Sequence, residues 1–473
     1  MVFSSLLFIY LFFALTMFVY CYVGTISRKN LVLLVSSLIF YAWGGPKYLI
    51  LLLAMTLISW FFALQIHYFR GNLFLKRLFL ILGVGMQLAL LGYFKYAGFI
   101  LENIQRITGV PEVVPEIILP IGISFYTFQL ISYVVDVYRG EVKPQKRYWL
   151  VLLYCSLFHQ CIAGPIVRYK DVAREIEHRR PKIPEIGRGI NRFTIGLVKK
   201  AVFANSCAQI ADAMLPEAVM QFNSVPALGL WLGALMYMLQ IYLDFSAYSD
   251  MAIGMGLMVG FHYKENFNYP YISKSVSEFW RRWHISLGQF FRDYVYVPMG
   301  GSRVTSKFIL VRTLFVVWLL TGIWHGASWN FIMWGLGYFL LLTIEKLIML
   351  PRNDWGIISK SLYRCFTLLA VLLGWVLFRA DGMHSAFYYV KSMFGLSGNA
   401  FFNGNTVRYI TNSAVLLVLA VLFSTPVISN TLNYLEKKYR IRILIDLCYI
   451  VLFLLAVSSL VMGANNPFIY FNF

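Results

Sequence analysis

The sequence predicts an all-α, polytopic transmembrane helical bundle, and three observations support this. Of the 473 residues, 59% are apolar and 13% are charged, whereas roughly 25% are charged in an ordinary soluble domain. Apolar runs of about 20 residues, long enough for a hydrocarbon core roughly 30 Å thick, recur along the chain. Lys and Arg gather in the short loops between these runs, as the positive-inside rule predicts. We expect a single integral membrane domain over residues 1–473 with about 11–12 spans, including re-entrant and interfacial helices.

The candidate spans follow the apolar runs in order. They cover residues 4–23, 31–43, 48–68, 78–100, 117–138, 192–213, 228–260, 308–325, 329–348, 362–379, 411–428 and 444–463. The first of them lacks the basic n-region and the cleavage site of a signal peptide, so we expect it to be retained. The basic loops between spans are predicted to face the cytoplasm, which places both termini outside.

Two segments do not fit this alternation of loops. Segment 149–166 lies between two basic loops and contains Gly164-Pro165, so we expect a re-entrant hairpin rather than a crossing. Segment 275–296 starts with a capping box, Ser275 and Glu278, and is predicted to be one amphipathic helix at the cytoplasmic interface. Its apolar face would carry Trp280, Trp283, Leu287, Phe290, Phe291 and Tyr294.

Charge and cysteine usage limit the functional classes. The net charge of +20 is spread over short loops, which favours contact with the anionic headgroups of a lipid bilayer over nucleic-acid binding. The six cysteines are scattered with no C-x-x-C pair, so neither a disulfide framework nor a zinc site is expected. We expect no metal and no permanently bound cofactor.

Among the seven histidines, His325 is the strongest candidate for a functional role. It lies within or at the edge of an apolar span, where an ionisable residue is costly. Gly322 and Gly326 beside it would let another backbone or a substrate approach closely. Thr321 and Ser328 would orient its imidazole if the helix continued. A general base and a helix-packing histidine are both open interpretations of this pattern.

The remaining histidines are weaker candidates. His284 shares a stripe of the predicted amphipathic helix with aromatic residues and is expected to point into the protein, as a functional group or as a structural anchor. His159, followed by Cys161, lacks further ligands for a metal site. The others lie in polar loops or at span ends, where solvated or interfacial side chains are expected: His67, His178, His262 and His384.

Two further patterns carry polar groups. The span 228–260 contains Asp244, Ser246, Tyr248 and Asp250, which would line a polar channel or hold helices together. The chain ends in an aromatic segment with one hydroxyl, Tyr470. This segment would be part of an interfacial aromatic belt, or its hydroxyl would act as a nucleophile.

Several of these motifs together resemble the membrane-bound O-acyltransferase family, and within it the bacterial alginate O-acetyltransferase-like branch. The similarity extends over nearly the whole chain. The matching stretches are LPIGISFYTFQ (119–129), DVYRG (136–140), AGPIVR (163–168), DFSAYSD (244–250), EFWRRWHIS (278–286), RDY (292–294), TGIWHGA (321–327) and GWVLFR (374–379).

The resemblance implies a helical bundle around a central tunnel in a bacterial cytoplasmic membrane, with His325 as catalytic histidine and His284 as second active-site residue. It implies that Trp280, Arg281, Trp283, Arg292 and Trp324 contribute to substrate binding in this tunnel, together with the polar residues of 244–250. The donor would be cytoplasmic acetyl-CoA. The implied partners are an external acetyltransferase of the serine-hydrolase (SGNH) type and an exported polysaccharide such as alginate, cellulose or peptidoglycan. The segment around Tyr470 resembles the tail of a small partner peptide whose tyrosine is thought to carry the acyl group.

The sequence therefore predicts an O-acetyltransferase that uses His325 as general base and Tyr470 as a candidate acyl carrier. One alternative keeps the fold but transfers D-alanine to teichoic acid. A second alternative, from another class, is a transporter or flippase without chemistry, but the repeated halves typical of many transporters are absent from the sequence.

Overall fold

The computed structural model describes residues 2–109, 117–161, 164–215, 225–302, 304–439 and 441–463, and these residues form helices and loops without strands. The predicted all-α class is confirmed. Eight helices in this described part are long and apolar enough to cross a membrane: Pro46–Tyr68, Leu73–Thr108, Ala227–Val259, Lys307–His325, Trp329–Ile348, Ile357–Arg379, Gly404–Phe423 and Arg442–Met462. Each corresponds to a predicted span. The predicted first span appears as the shorter apolar helix Leu7–Tyr22.

The described chain divides into two compact units. The first extends to Phe193 and includes Tyr248–Glu265, and the second contains Thr194–Ala247 and the chain from Asn266 onward. Helix Ala227–Val259 contributes residues to both units. The single integral domain over residues 1–473 stays a prediction.

Three long helices form the centre of the first unit. Pro46–Tyr68, Leu73–Thr108 and Ile123–Arg139 pack against one another, and a Cβ atom at Gly83 would lie 3.0 Å from the Phe62 Cβ. Glycine thus allows close approach at this helix crossing. The other helices with residues in this unit are Leu7–Phe13 (a π-helix), Ala14–Tyr22, Ile26–Ala42, Tyr148–Ser156, Phe158–Cys161, Tyr169–Glu177 and Ile183–Val198.

The structure of segment 149–166 agrees with a non-crossing segment. Its main helix, Tyr148–Ser156, has nine residues and is therefore about 14 Å long, half of the roughly 30 Å that a crossing requires. A second short helix, Phe158–Cys161, follows after Leu157. Residues 162 and 163 lie outside the described part of the chain.

The second unit contains a tight helical hairpin that positions His325. Helix Lys307–His325 is followed after three residues by helix Trp329–Ile348, and the two pack closely. A Cβ atom at Gly322 would lie 2.6 Å from the Phe331 carbonyl oxygen, so the expected close backbone approach at this glycine is confirmed. The other helices of the unit are Lys199–Ala204 and Arg292–Tyr296 (π-helices), Asn205–Met214, Pro270–Ile272 (3₁₀), Val276–Arg282, Ile285–Phe291, Ile357–Arg379, Gly382–Met393, Gly404–Phe423, Val427–Tyr439 and Arg442–Met462.

The prediction of one continuous amphipathic helix over 275–296 is wrong. The helix Val276–Arg282 ends, and a new helix starts at Ile285, because His284 adopts a left-handed backbone conformation with φ 44°. The predicted cap is present, since Ser275 Oγ accepts a hydrogen bond from the Glu278 N–H at 3.1 Å. The Glu278 carboxylate accepts from the Lys274 N–H, one residue before the cap. Local periodicity cannot reveal such a break, because the contacts that hold it come from a distant loop.

Candidate functional site

His325 lies at the end of its helix among aromatic rings. Its side chain is buried, and its ring centroid is 4.9 Å from that of Trp324, 4.9 Å from that of Trp334 and 5.2 Å from that of Phe378, all in edge-to-face arrangements. Edge-to-face packing is a preferred aromatic geometry, which fixes the plane of the ring. The imidazole is thus held in a dry, shaped environment at a helix end.

The expectation that Thr321 and Ser328 orient this imidazole is wrong. The Thr321 hydroxyl donates to the Val317 carbonyl at 2.7 Å, within its own helix. The helix ends at His325, and Gly326 is fully extended, so Ser328 does not lie one turn further along the same face. Ser328 is instead the N-cap residue of the following helix.

His284 occupies the break between two short helices and is also buried. Left-handed backbone in a residue other than glycine costs about 1–3 kcal/mol and persists where the surroundings hold it. The loop 266–268 supplies this support. The Ile285 N–H donates to the Asn266 carbonyl at 2.8 Å, and the Asn268 N–H donates to the Arg282 carbonyl at 2.9 Å.

The Asn266 side chain determines which nitrogen of His284 carries the proton. Its Oδ1 atom lies 3.1 Å from His284 Nδ1 and accepts from the Ser286 N–H at 3.2 Å and from the Ser286 hydroxyl at 2.8 Å. Because the two serine groups donate, the Asn266 atom is the oxygen, and His284 Nδ1 must donate to it. The Nε2 atom of His284 is then the nitrogen with the lone pair.

Burial keeps His284 neutral. The loss of solvation lowers the pKa of this imidazole to about 3, since a charged ring is disfavoured away from water. A neutral imidazole protonated at Nδ1 presents Nε2 as a hydrogen-bond acceptor or as a base.

Trp324 brings the two imidazoles into one cluster. Its ring centroid is 5.9 Å from that of His284 and 4.9 Å from that of His325. His284 also packs edge-on against Phe245 at 4.7 Å. Two histidines that lie forty-one positions apart in the sequence therefore contact the same indole in the second unit.

Two more predicted site residues, Trp280 and Trp283, extend this cluster. The Trp280 ring lies 5.4 Å from Trp334, which contacts His325, and Trp283 lies 4.7 Å from Trp375. The indole N–H groups of Trp280 and Trp334 are buried and have no hydrogen-bond partner among the described residues. A buried polar group without a protein partner is costly, so these N–H groups are candidate donors to a substrate.

The polar residues of segment 244–250 do not form one group. In the second unit, Asp244 and Lys200 form an ion pair of 2.6 Å with both side chains almost fully buried, and Ser246 lies 3.4 Å from the Lys199 ammonium. This pairing between neighbouring helices favours the interpretation of Asp244 as a link between helices. The sequence analysis did not identify Lys200.

Tyr248 and Asp250 belong to the first unit. Tyr248 is buried and stacks on Phe3 with a centroid distance of 4.4 Å. Asp250 pairs with Arg192 at 2.7 Å, and the same guanidinium contacts Glu265. These two carboxylates raise the pKa of Arg192 further above its ordinary value.

Two predicted site residues, Arg281 and Arg292, are not part of the buried cluster. Arg281 and Arg292 are exposed, and Arg292 has a carboxylate, Asp293, 3.8 Å away. Arg281 lies on the helix Val276–Arg282, in which Val276 and Phe279 are buried, whereas the helix Arg292–Tyr296 has no buried residue. A regular spacing in the sequence could not separate Arg281 from these buried neighbours. Tyr470 lies outside the described residues.

Two positioning residues were not identified from the sequence. Asn266 lies eighteen positions before His284, in a loop with no periodic pattern. Glu345 lies near the end of helix Trp329–Ile348, and its carboxylate accepts from the Val276 and Ser277 N–H groups at 2.7 Å and from the Tyr363 hydroxyl at 2.7 Å. It thereby caps the helix that precedes His284. A glutamate late in an apolar span was the one available signal for Glu345.

The described residues contain no group of three or more His, Cys, Asp or Glu side chains arranged to hold a metal ion. The cluster itself supplies two imidazoles, indole N–H groups and their hydrogen-bond partners.

Comparison with known proteins identifies the class of this protein. Residues 147–354 match the sequence profile described as MBOAT, membrane-bound O-acyltransferase family, and this stretch includes both histidines of the cluster. Relatives more than 30% identical align over most of the chain. The chain belongs to the membrane-bound O-acyltransferase family and is an acyltransferase.

Similar individual proteins come from several bacteria. The chain is 42% identical over 399 residues to the probable alginate O-acetylase AlgI of Azotobacter vinelandii, covering 83% of this chain and 78% of that protein. It is 37% identical over the full length of both chains to the probable alginate O-acetylase AlgI of Pseudomonas putida. It is 36% identical to the peptidoglycan O-acetyltransferase of Helicobacter pylori, covering 77% of this chain and 74% of that protein. The predicted family is confirmed.

Proposed function

We propose that this protein is an O-acetyltransferase of a bacterial cytoplasmic membrane, which takes acetyl groups from cytoplasmic acetyl-CoA for the O-acetylation of an exported or cell-surface polysaccharide. The observation that carries the proposal is the placement of two buried imidazoles, His284 and His325, against one indole, Trp324. The names of the relatives, which act on alginate or peptidoglycan, support acetyl as the group and a polysaccharide as the acceptor.

In the proposed reaction His325 is the general base. Its imidazole removes the proton from an acceptor hydroxyl, whose oxygen attacks the carbonyl carbon of the acetyl thioester. A new C–O bond forms, the C–S bond breaks, and the proton passes from the imidazole to the departing thiolate of CoA. A positioned base of this kind contributes about 10²–10⁴ in rate.

His284 has the role of positioning the acceptor. Asn266 holds the proton on Nδ1, so Nε2 accepts a hydrogen bond from a hydroxyl but does not donate one to a developing oxyanion. This tautomer suits His284 to positioning a substrate hydroxyl rather than to supporting a developing negative charge. The buried N–H groups of Trp280 and Trp334 are better suited to stabilise the negative charge.

The first acceptor in the proposal is the hydroxyl of Tyr470. An acyl-tyrosine near the carboxyl terminus would pass its acetyl group outside the membrane to an SGNH-type acetyltransferase, which then modifies the polymer. Both termini are predicted to be external, which supports this order of steps. Incubation with ¹⁴C-acetyl-CoA followed by peptide mapping tests it, and a carboxyl-terminal peptide without label would rule Tyr470 out.

The experiment that tests the proposed function measures donor use and acceptor labelling together. Purified full-length protein in proteoliposomes is given ¹⁴C-acetyl-CoA outside or inside, with an SGNH-type acetyltransferase and an alginate or peptidoglycan fragment on the opposite side. We expect release of free CoA thiol in step with label on the polymer. The exposed-histidine variant His384→Ala serves as the matched control for His325→Ala.

Two results would contradict the proposal. If acetyl-CoA is not consumed while a D-alanyl thioester on a carrier protein is, the donor is wrong and the teichoic acid alternative replaces it. Movement of a substrate without release of thiol would favour a transporter, which membership in an acyltransferase family argues against.

A further inference from the structure

The first unit contains a large cavity whose lining includes none of the candidate site residues. Its volume is about 830 Å³. The loop 142–147, the start of helix Tyr148–Ser156 and the helix Tyr169–Glu177 form most of its wall, with Ile26, Ser27 and Asn30 on a third side. The positive-inside rule places the loop 142–147 at the cytoplasmic face.

The ionisable groups around this cavity are mostly cations. Four side chains with permanent positive charge line it, against one carboxylate, Glu177, and one histidine, His178; the cations are Lys143, Lys146, Arg147 and Arg174. All four are exposed, and none forms an ion pair with another described residue. A concave surface with one sign of charge attracts ions of the opposite sign.

Other cations of the first unit, unlike those of the cavity, form ion pairs with carboxylates. Arg168 pairs with Asp171 at 3.0 Å, and Lys170 pairs with Glu141 at 2.6 Å. Lys264 adds a second cation to Asp171, and these partners lower the pKa of that carboxyl. Carboxylates are therefore available in this unit, yet they neutralise the cations outside the cavity and leave its lining charged.

Hydrogen bonds hold the cavity wall in shape. The Gln145 N–H donates to the Tyr133 hydroxyl at 2.9 Å, and the Gln145 carbonyl accepts from the Trp60 indole at 2.9 Å. The Gln145 amide group donates to Glu177 at 3.0 Å and accepts from the Arg147 N–H at 3.1 Å. One glutamine thus links the basic loop to three helices and occupies the one carboxylate of the lining.

The start of helix Tyr148–Ser156 adds to the positive potential. Its N-cap residue, Arg147, makes no side-chain cap, so the partial positive charge of the helix end is not met by a side chain. Helix amino termini favour anions, and phosphate in particular. The indole of Trp149 and the ring of Tyr169 border the same space and offer a flat surface next to the charges.

We propose that this cavity binds a phosphate-bearing anion through Lys143, Lys146, Arg147 and Arg174. Two sources carry such a group at a cytoplasmic membrane face: the headgroup of an anionic phospholipid, and the phosphates of the CoA moiety of the donor. The nucleotide source rests on the proposed acetyl-CoA donor, whereas the lipid source does not. Charge-assisted hydrogen bonds are the strong ones, so removal of four cations should weaken binding at least about tenfold.

The test compares two quadruple variants of the full-length protein in phosphatidylcholine nanodiscs. One variant replaces the cavity cations with glutamine: Lys143→Gln, Lys146→Gln, Arg147→Gln and Arg174→Gln. The control removes the same number of exposed cations elsewhere: Arg70→Gln, Arg77→Gln, Lys437→Gln and Arg442→Gln. In one arm, native mass spectrometry measures retained phosphatidylglycerol. In the other arm, equilibrium dialysis measures binding of labelled CoA.

We expect the cavity variant to lose at least about tenfold in affinity for one probe, while the control binds as the wild type does. Loss in the lipid arm identifies a lipid headgroup, and loss in the CoA arm identifies the nucleotide. The single variants Lys146→Gln and Arg174→Gln, on different walls, must weaken the same probe without a change in thermal stability. Equal binding of both probes by the cavity and control variants would overturn the proposal, whatever the transferase assay shows.

Discussion

The two compact units hold their buried polar side chains in different ways. In the first unit, the buried Arg179 guanidinium donates to the Asn30 side chain at 2.6 Å and to the Val259 carbonyl at 3.0 Å, and it lies over the Phe261 ring. In the second unit, the His325 imidazole packs against aromatic rings at 4.9–5.2 Å. One arrangement meets a charge with several oxygen acceptors, and the other packs an imidazole against aromatic rings.

This difference separates structural polar groups from reactive ones. A group whose donors are engaged by the protein has a fixed role in the fold. An imidazole packed among aromatic rings lies in a low dielectric, which strengthens its interactions with a bound ligand. Each unit also contains a buried neutral histidine, His159 in the first and His284 in the second, so the same residue type can be tested in both.

The largest effect is expected from replacement of His325. His325→Ala should lower kcat by about 10²–10⁴-fold through the loss of a general base, measured as thiol release from acetyl-CoA. The counterpart in the first unit is Tyr263→Phe, which removes the hydroxyl 2.7 Å from His159 and should alter stability but not kcat. An active His325→Ala protein would mean that the buried histidine of the second unit is structural, like the buried polar groups of the first unit.

The next effect concerns the buried ion pair of the second unit. Lys200→Met leaves the Asp244 carboxylate buried and should destabilise the protein by about 3–5 kcal/mol, measured by thermal unfolding in detergent. The double variant Lys200→Met/Asp244→Leu should recover most of this loss. In the first unit, the Arg192 side chain that pairs with Asp250 is 32% exposed, so Asp250→Asn should cost less. Equal losses for the two single variants would contradict the difference in burial.

A smaller effect is expected at Asn266, which positions His284. Asn266→Ala should lower kcat by about 10–100-fold, by analogy with the loss when a partner that orients a metal-bound histidine is removed. Asn266→Asp keeps an acceptor oxygen and adds a negative charge, which raises the pKa of His284. The activity of this variant should therefore show a new acidic limb in its pH profile. An unchanged profile would mean that Asn266 serves the fold alone.

The smallest effect is a pH dependence of stability that both units share. Burial lowers the pKa of His159 and of His284 to about 3, whereas both rings titrate near 6.5 when unfolded. The unfolded chain thus binds more protons below pH 6.5. Stability is complete above that value and falls as the pH drops toward 3, by about 1.4 kcal/mol per pH unit for each histidine.

Replacing one histidine at a time measures how much each unit contributes to the pH dependence of stability. His159→Gln and His284→Gln should each reduce the acid dependence of thermal unfolding between pH 6.5 and 5 by one histidine's share. If neither replacement changes the slope, both rings are protonated in the folded protein, and the neutral tautomer assigned to His284 is wrong.

The sequence was sufficient for much of the fold. Each of the eight long helices was predicted because a span of apolar residues must satisfy its own backbone hydrogen bonds in lipid. The sequence also singled out His325, since an ionisable side chain between glycines in such a span is unusual. Its role as a catalyst came from the family motif and not from the spacing.

Tertiary structure alone decided how the site is held together. The break at His284 depends on Asn266, and two N–H groups in the first turn of the preceding helix are met by Glu345, nearly seventy positions away. Likewise, the partner of Asp244 is Lys200, on another helix. The periodicity of a sequence predicts which face of a helix is apolar. It does not predict which donor will form a hydrogen bond with which distant acceptor. That pairing is fixed only when packing removes water from both groups.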